Sequence, residues 1–519
     1  MNRRREIINL AEMLDFTCAK YPKRIALIFE TKKITYRQLS DSSMRLASAL
    51  YNLGIREFDK VAIWLPNCPE FIYSFFAILR LKATVVPLNS MFKQEEARLV
   101  VEDSGAKILI CSIDKAANAQ NLLSRLDSLK YVISLPAPKD NKAVLDFYSL
   151  LTGSEVFSPE TTKQDEGIAE IVYTSGTTGR PKGACLTHEN LISNIKGCSE
   201  TIKITKRDCF ICILPLFHSF ASTVCMLLPL YEGAKIVIIG KVMPFKPVIR
   251  AIFKHRVTIF AAVPSLYDIL NEAKFPRLGL FLSLFLNPIR LCISGAAALP
   301  QNVWKKFEKK FKRPLLQGYG LTECSPVVSL HPLSKKKKPD SVGAPLSKVE
   351  VKVIDKEGKE LSQGEVGELL VKGPNVMKGY YNLEEETKKV LKGGWLYTGD
   401  LAKIDSDGFI YIMGRLKEMI IVRGLNVYPR EIEDILYGYP KIREAAVVGV
   451  SHRHRGEVPL AFVVSEGDLD EREILKHLRA NLAPYKVPLK VLFKENLPKN
   501  PTGKILKREL QKEVEDIFK

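Results

Sequence analysis

Short apolar runs alternate with longer amphipathic stretches through the N-terminal part of this 519-residue chain. The runs have the length of buried β-strands, and they cover residues 61–65, 83–87, 107–111, 131–135, 168–173 and 235–239. Two sets of apolar side chains recur at helical spacing between or after these runs: Leu46, Ala49, Leu50 and Leu53, and Val303, Phe307 and Phe311. This alternation predicts an α/β fold in which helices pack on β-sheets.

The pattern changes in residues 347–373, where valines alternate with charged residues between turn signals and predict a small β meander. A strand at 408–413 is followed by a new succession of short elements: a helix opened by Pro429, strands at 445–450 and 459–464, and a helix at 470–481. A chain of this length divides into domains because a single core stops growing at about 250 to 300 residues. We predict a large N-terminal domain, 1–413, and a small mobile C-terminal α+β domain, 414–519.

The chain is strongly basic, with 78 Lys and Arg against 58 Asp and Glu and a formal net charge of +20. Such an excess favours polyanionic partners, namely nucleic acid, anionic lipid surfaces or phosphorylated substrates, and it is also typical of a basic solvated surface. No recognised nucleic-acid-binding module accompanies the basic runs, so we predict no nucleic-acid partner. Peripheral association with an anionic membrane and a homodimer both stay open.

Three further features bear on location and metal binding. The chain starts with a basic segment that no sustained apolar stretch follows, so we predict no secretory signal and a cytoplasmic location. The ten cysteines are scattered as expected for buried reduced thiols, and the CxxC pair Cys209 and Cys212 stands alone, so no structural metal is predicted. Residues 278–286 are almost wholly apolar but shorter than the roughly 20 residues that span a bilayer, which favours a buried element over an exposed membrane-docking patch.

The segment 173–183, Tyr-Thr-Ser-Gly-Thr-Thr-Gly-Arg-Pro-Lys-Gly, directly follows an apolar strand and has the composition of a phosphate-binding loop. Its glycines permit close backbone approach, while hydroxyls and a lysine can contact phosphate oxygens. The candidate phosphate-binding residues are Thr174, Ser175, Gly176, Thr177, Thr178, Gly179 and Lys182. The spacing differs from G-x-x-x-x-G-K-[ST], which excludes a Walker P-loop.

Six more motifs follow in order at residues 214–220, 318–323, 397–400, 414–426, 484–488 and 498–504. They read LPLFHSF, GYGLTE, YTGD, GRLKEMIIVRGLN, PYKVP and PKNPTGK. With the loop, they resemble the signatures of the adenylate-forming superfamily, which includes acyl-CoA synthetases, nonribosomal adenylation domains and luciferases. The resemblance spans nearly the whole chain and is greatest to bacterial medium- and long-chain fatty acid CoA ligases.

Several motif residues also have a chemistry suited to a nucleotide. Tyr319 can stack on a purine, Thr322 can hydrogen-bond a phosphate oxygen, and Glu323 can help to hold Mg²⁺ against the triphosphate. Asp400 is suited to accept the ribose hydroxyls, and Arg415 can reach the ribose or a phosphate. The resemblance assigns ATP and AMP binding to these same positions.

Other roles are implied by the resemblance alone. His218 would lie beside the substrate carboxylate, and Lys504 would stabilise the pentacoordinate transition state as pyrophosphate departs. Lys417 matches the hinge of the small domain, and Gly424 matches the glycine beside the pantetheine tunnel. The remaining implied positions are a catalytic Thr178 and an acid pocket at His218, Gly295, Ala296 and Gly320.

The implied activity is the Mg²⁺-dependent reaction of ATP with a fatty acid to give acyl-AMP, followed by transfer of the acyl group to coenzyme A. A departure is Glu418, which stands where many relatives carry Asp; because the charge is kept, we expect little change. Three alternatives stay open: transfer to a carrier-protein phosphopantetheine, an aryl acid as substrate, and a non-catalytic acyl-adenylate or nucleotide sensor. A polyanion-binding protein without enzymatic activity is a fourth.

Overall fold

The computed structural model of the protein describes residues 9–139, 141–154, 167–174, 181–273, 288–333, 337–423, 425–452, 456–500 and 503–515. The structure is α/β, as predicted. One sheet has a parallel interior and antiparallel edges. Its strands lie in the order Ala344–Pro345, Val327–Leu330, Leu315–Gly320, Leu291–Ser294, Ile259–Ala262, Cys209–Cys212, Lys235–Ile238, Ile25–Phe29 and Lys32–Thr35.

Of the six apolar runs that the sequence predicts as strands, the run at 235–239 lies in the first sheet, and a second sheet contains the other five. Its strands lie in the order Gly379–Tyr380, Lys182–Thr187, Ile168–Thr174, Thr84–Pro87, Lys60–Trp64, Ile108–Ser112, Tyr131–Leu135 and Val144–Asp146. Most pairs are parallel, but Ile168–Thr174 and Lys182–Thr187 run antiparallel, with Thr174 opposite Lys182. This hairpin therefore brings the two ends of the predicted phosphate loop together.

Helices cover these sheets and share their apolar core. Among the described residues, the helices of the N-terminal part include Leu10–Lys20, Tyr36–Asn52, Pro69–Arg80, Gln94–Ser104, Ala116–Leu123, Phe147–Gly153, His188–Ile202, Leu228–Glu232, Lys246–His255, Pro264–Glu272, Gln301–Phe311 and Glu384–Val390. Every residue of the helix Pro69–Arg80 except Glu70 is buried, and its aromatic residues Phe71, Phe75 and Phe76 belong to the same core as strand residues of both sheets. The two sheets and this helix are thus one packing unit.

A third, antiparallel sheet follows, in agreement with the predicted meander. Its strands are Glu350–Ile354, Gly367–Lys372, Leu391–Lys392, Trp395–Ile404 and Ile410–Arg415. The strand predicted at 408–413 is thus observed two residues later. It crosses the predicted domain boundary at 413/414, and the chain leaves the sheet only at the short 3₁₀ turn Leu416–Glu418. The division into residues 1–413 and 414–519 stays a prediction.

The C-terminal part has an α+β structure with its own cores. Its strands are Ile420–Val422, Leu425–Val427, Ile442–His452, Gly456–Ser465 and Val491–Phe493, and its helices are Pro429–Gly438, Glu471–Asn481 and Lys507–Glu515. The two central strands are longer than predicted because they continue into their hairpin connection. This part contacts the large one through Asn302, whose amide donates to the backbone oxygen of Tyr437 at 2.8 Å.

Two sequence predictions concern apolar segments and cysteines. The segment 278–286 lies outside the described residues. Within the described ranges, none of the helices has the length and apolarity needed to cross a bilayer. All ten cysteines lie in described positions, and each is a buried free thiol, as expected.

Candidate active site

A cavity of about 1150 Å³ lies where the large and small parts of the chain meet. Most of the predicted site residues line it together: Thr174, Lys182, His218, Gly295, Ala296, Tyr319, Gly320, Thr322, Glu323, Arg415, Lys417 and Lys504. Asp400 lines an adjoining cavity of about 310 Å³, which shares Tyr319, Arg415 and Lys504 with the first. Six predicted residues lie outside the described residues: Ser175, Gly176, Thr177, Thr178, Gly179 and Gly424.

Asp400 is held from two sides. Arg415 lies directly opposite it in the neighbouring strand and places Nε 2.8 Å from Oδ1, while the Tyr319 hydroxyl donates to Oδ2 at 2.5 Å. Burial raises the pKa of the Asp400 carboxyl above its usual value, although Arg415 opposes this shift. Each carboxylate oxygen can accept a further bond, so the pair of oxygens is available to two vicinal hydroxyls.

Glu323 stands in the short 3₁₀ turn Thr322–Cys324, where the strand carrying Tyr319 ends. Tyr380 donates its hydroxyl to Oε1 of Glu323 at 2.8 Å, which leaves the second carboxylate oxygen for another ligand. Mg²⁺ is commonly held by one or two carboxylates plus substrate phosphates, so this donor set fits a magnesium ion bound with ATP. The described residues contain no cluster of three or more His, Cys, Asp or Glu that could hold a metal without the substrate.

His218 precedes the helical segment 219–232, and its Nδ1 accepts a hydrogen bond from the backbone N–H of Phe220 at 3.3 Å. Burial lowers the pKa of His218 to about 4, so the ring is neutral at pH 7. Because Nδ1 is an acceptor, the proton of the neutral ring is on Nε2. Nε2 can therefore donate a hydrogen bond to a carboxylate, and this geometry fits a positioning role rather than that of a general base.

Beside His218 the cavity turns apolar. A Cβ atom at Gly295 would lie only 2.9 Å from the ring of Phe220, so glycine at this position allows the tip of the ring to approach the backbone. The apolar residues that line this side of the cavity are Cys198, Ile202, Phe220, Val224, Leu228, Ile293, Val327 and Leu330. The cavity lining thus includes both polar, charged residues and an apolar group that adjoins His218 through Phe220.

Lys504 reaches the cavity from a tight turn in the C-terminal part. Asn500 closes this turn, because its side chain accepts from the Lys504 N–H and its own N–H donates to the Lys504 carbonyl, both at 2.9 Å. The turn needs Gly503, whose φ is +79° and where a Cβ atom would lie 3.1 Å from Oγ of Ser265 in the large part. Burial and the nearby Arg415 lower the pKa of Lys504.

Lys417 lies in the turn Leu416–Glu418 that connects the two parts, and burial lowers its pKa as well. The adjacent Glu418 lies 3.5 Å from the Nζ atom of Lys507, which also contacts Glu433 at 2.6 Å. The connection is thus tied to the C-terminal helix Lys507–Glu515 by the ion pair of Glu418 with Lys507. Sequence reasoning missed Lys507, and it also missed Tyr380, because neither residue type nor spacing distinguishes them from surface residues.

Comparison with known proteins agrees with this geometry. The AMP-binding enzyme family matches residues 14–381, and the AMP-binding enzyme C-terminal domain matches residues 431–504. A long-chain-fatty-acid–CoA ligase of Bacillus subtilis is 35% identical over 97% of this chain and 94% of its own. The ATP-bound structure of MatB from Rhodopseudomonas palustris is 31% identical with a TM-score of 0.90, over 99% of this chain and 100% of its own.

A further solved structure is the o-succinylbenzoate coenzyme A synthetase MenE of Bacillus subtilis, in complex with ATP and a magnesium ion. It is 29% identical with a TM-score of 0.83, over 96% of this chain and 98% of its own. The family match covers well over half of the chain, and its two parts coincide with the large and small parts of the fold. The chain belongs to the AMP-binding enzyme family.

Proposed function

We propose that the protein is an AMP-forming acid–thiol ligase that converts a medium- or long-chain fatty acid into its coenzyme A thioester. The observation that carries the proposal is the lining of the cavity, which combines nucleotide-type polar residues with a group of apolar side chains and includes His218. The name of the Bacillus subtilis relative, a long-chain-fatty-acid–CoA ligase, supports the same substrate class. The named residues act in two half-reactions.

In the first half-reaction, an acid oxygen attacks the α-phosphorus of ATP, the bond to the bridging oxygen breaks, and pyrophosphate leaves. Nε2–H of His218 holds the carboxylate, and the ammonium group of Lys504 offsets the charge that develops on the α-phosphate. Asp400 binds the ribose hydroxyls and Tyr319 stacks on the adenine. A magnesium ion bound at Glu323 would neutralise phosphate charge.

In the second half-reaction, the thiol of coenzyme A attacks the acyl carbon of acyl-AMP, and AMP leaves as the bond to its phosphate oxygen breaks. Lys504 is then no longer needed, because no pyrophosphate departs. We propose that the small part rotates about Lys417, whose 3₁₀ turn is a short connection between two sheets. Gly424 would then approach the pantetheine arm.

The apolar group in the cavity lining favours an alkyl chain over a small acid. Each methylene buried there stabilises the bound acid by about 0.8 kcal/mol until the cavity ends. An aryl acid is the alternative, because the related MenE structure is that of an o-succinylbenzoate coenzyme A synthetase.

The test is pyrophosphate release with ATP and Mg²⁺ across unbranched acids from acetate to octadecanoate and a set of aryl acids. We expect kcat/KM to rise with chain length into the medium or long range. The fatty-acid assignment is wrong if acetate or an aryl acid gives the highest value. Competition between coenzyme A and a holo-carrier protein for the acyl group separates the two thiol acceptors.

The same proposal includes weak association with anionic membranes, from which fatty acids could be drawn. The formal net charge of +20 supports it. Co-sedimentation with anionic and neutral vesicles at low and high salt is the measurement, and binding should be confined to anionic vesicles at low salt. Equal recovery in the supernatant with both vesicle types would remove this part of the proposal.

A further inference from the structure

The carboxylate of Glu386 bridges two lysines of the cavity lining. Its Oε2 lies 2.5 Å from Nζ of Lys182, and its Oε1 accepts a hydrogen bond from Nζ of Lys389. Both lysines line the cavity, close to Tyr380, whose ring lies 5.3 Å from the Lys182 ammonium and whose hydroxyl binds Glu323. One carboxylate therefore holds two cations at the place where the phosphates of ATP are expected.

The helix Glu384–Val390 carries a second ion pair of the same spacing that does not reach the cavity. Glu385 and Lys388 lie 2.8 Å apart, and their side chains are 80% and 68% exposed. In the other pair, Lys389 is also 68% exposed but lines the cavity, and its partner Glu386 is 30% exposed and also contacts Lys182, which is 17% exposed. The two adjacent, chemically identical pairs thus differ in that one has its lysine in the cavity lining and shares its carboxylate with Lys182.

We propose that Lys389 and Lys182 together bind the pyrophosphate portion of ATP, and that Glu386 occupies both ammonium groups until the polyphosphate replaces it. A polyphosphate offers several charged oxygens in place of one carboxylate, so the two lysines gain more charge-assisted hydrogen bonds than they lose. The bond that Glu386 gives up is a partly exposed ion pair, which contributes little to stability. No covalent bond changes in this exchange.

This inference rests on the proposed function, because pyrophosphate is the product of the first half-reaction. It adds Lys389 as a phosphate ligand that none of the sequence motifs contains. It also assigns Glu386 as a competitor of the substrate and not as a ligand of it. Removing the competitor should therefore strengthen binding, whereas removing a structural support should weaken it.

The experiment is calorimetric titration of the full chain with inorganic pyrophosphate and Mg²⁺, without any acid. Lys389→Met should weaken binding about tenfold, and Glu386→Gln should strengthen it about threefold. The matched controls Lys388→Met and Glu385→Gln change the same residue types one position earlier and should bind as the unmodified chain does. Circular dichroism and thermal unfolding check that all four variants are folded.

Kinetics supply a second readout. Lys389→Met should raise KM for ATP in acyl-AMP formation and leave thioester formation from supplied acyl-AMP unchanged. The proposal is overturned if Lys389→Met binds pyrophosphate like Lys388→Met, or if Glu386→Gln weakens binding. Failure of the proposed function is a separate result: the unmodified chain would then bind pyrophosphate, but no acid would stimulate pyrophosphate release from ATP.

Discussion

Asp400 and Arg415 face each other across a pair of antiparallel strands, and their side chains form an ion pair at 2.8 Å. Asp400 is 3% exposed, and Arg415 is the last residue of its strand before the chain turns into the C-terminal part. The buried acid expected to bind the ribose is therefore paired with a residue at the start of the connection to the C-terminal part. If Asp400 binds the ribose as proposed, this ion pair would link the nucleotide site to that connection.

Replacing Arg415 by Ala should destabilise the protein by about 2 kcal/mol, because a buried carboxylate loses its counter-charge. The double variant Arg415→Ala with Asp400→Asn should recover most of this loss, since the charge that needed a partner is gone. Acyl-AMP formation should be impaired in Arg415→Ala, and the double variant should not restore it. Urea unfolding and pyrophosphate release measure the two properties. The control is Arg443→Ala, which breaks an exposed ion pair with Glu466. It should lower the free energy of unfolding by less than about 1 kcal/mol.

The contact between Gly295 and Phe220 predicts a selective effect on the acid. In Gly295→Ala the new Cβ would lie 2.9 Å from the Phe220 ring, which must move into the space proposed for the alkyl chain. We expect KM for a long-chain acid to rise about tenfold, which corresponds to the free energy of burying roughly two methylene groups. KM for ATP should be unchanged. Pyrophosphate-release kinetics measure both constants.

Two further variants control this experiment. Gly438→Ala makes the same change in a helix where a Cβ would meet nothing within 4 Å, so its kinetics should equal those of the unmodified chain. Phe220→Leu in the Gly295→Ala background should restore much of the affinity for the acid. An equal rise of KM for ATP and acid in Gly295→Ala would contradict the assignment of this region to the alkyl chain.

The sequence motifs name residues that the structure brings together in one cavity, but they do not predict the contacts among them. Asp400, Arg415 and Tyr319 were each expected near the nucleotide. The ion pair of Asp400 with Arg415 depends on strand register, and the hydrogen bond of Tyr319 to Asp400 depends on a contact between two different sheets. Glu386 belongs to an acidic run that is typical of an exposed helix start, and only the fold brings it to Lys182. Local sequence patterns predict secondary structure and the chemistry of single residues, whereas pairings between residues far apart in the sequence are set by tertiary packing.

Glu170 is another residue that the sequence did not single out, since it lies within an apolar run predicted as a strand. It is 1% exposed, and neither of its carboxylate oxygens has a hydrogen-bond partner among the described residues. Burial alone raises its pKa from 4.5 to about 8. At neutral pH the folded chain therefore keeps a proton on Glu170 that the unfolded chain releases.

This difference predicts how stability depends on pH. Between pH 4.5 and about 8, the unfolded state binds fewer protons at Glu170, so the free energy of unfolding should fall by about 1.4 kcal/mol per pH unit from this group. Above pH 8 its contribution becomes constant. Glu170→Gln should remove this slope and stabilise the protein at pH 8, whereas the exposed Glu357→Gln should not. Urea unfolding from pH 5 to 9 measures this slope. An unchanged slope in Glu170→Gln would show that the pH dependence of stability does not come from Glu170.

Lys504 combines burial with a role that requires its charge. The pKa of its ammonium group is lowered by burial, and the neighbouring Arg415 adds to the shift. The group therefore loses its proton at a lower pH than an exposed lysine does. Because the charge is needed only while pyrophosphate departs, the loss should affect the first half-reaction and spare the second.

Single-turnover formation of acyl-AMP should therefore decline as pH rises through this lowered pKa, while thioester formation from supplied acyl-AMP should not follow the same decline. Lys504→Arg should move the alkaline decline to higher pH, because a guanidinium stays charged. Lys504→Ala should lower acyl-AMP formation by orders of magnitude, abolish the alkaline decline and retain the second half-reaction. If Lys504→Ala lost both half-reactions equally while remaining folded, Lys504 would not be specific to adenylation and the two-conformation mechanism would not apply.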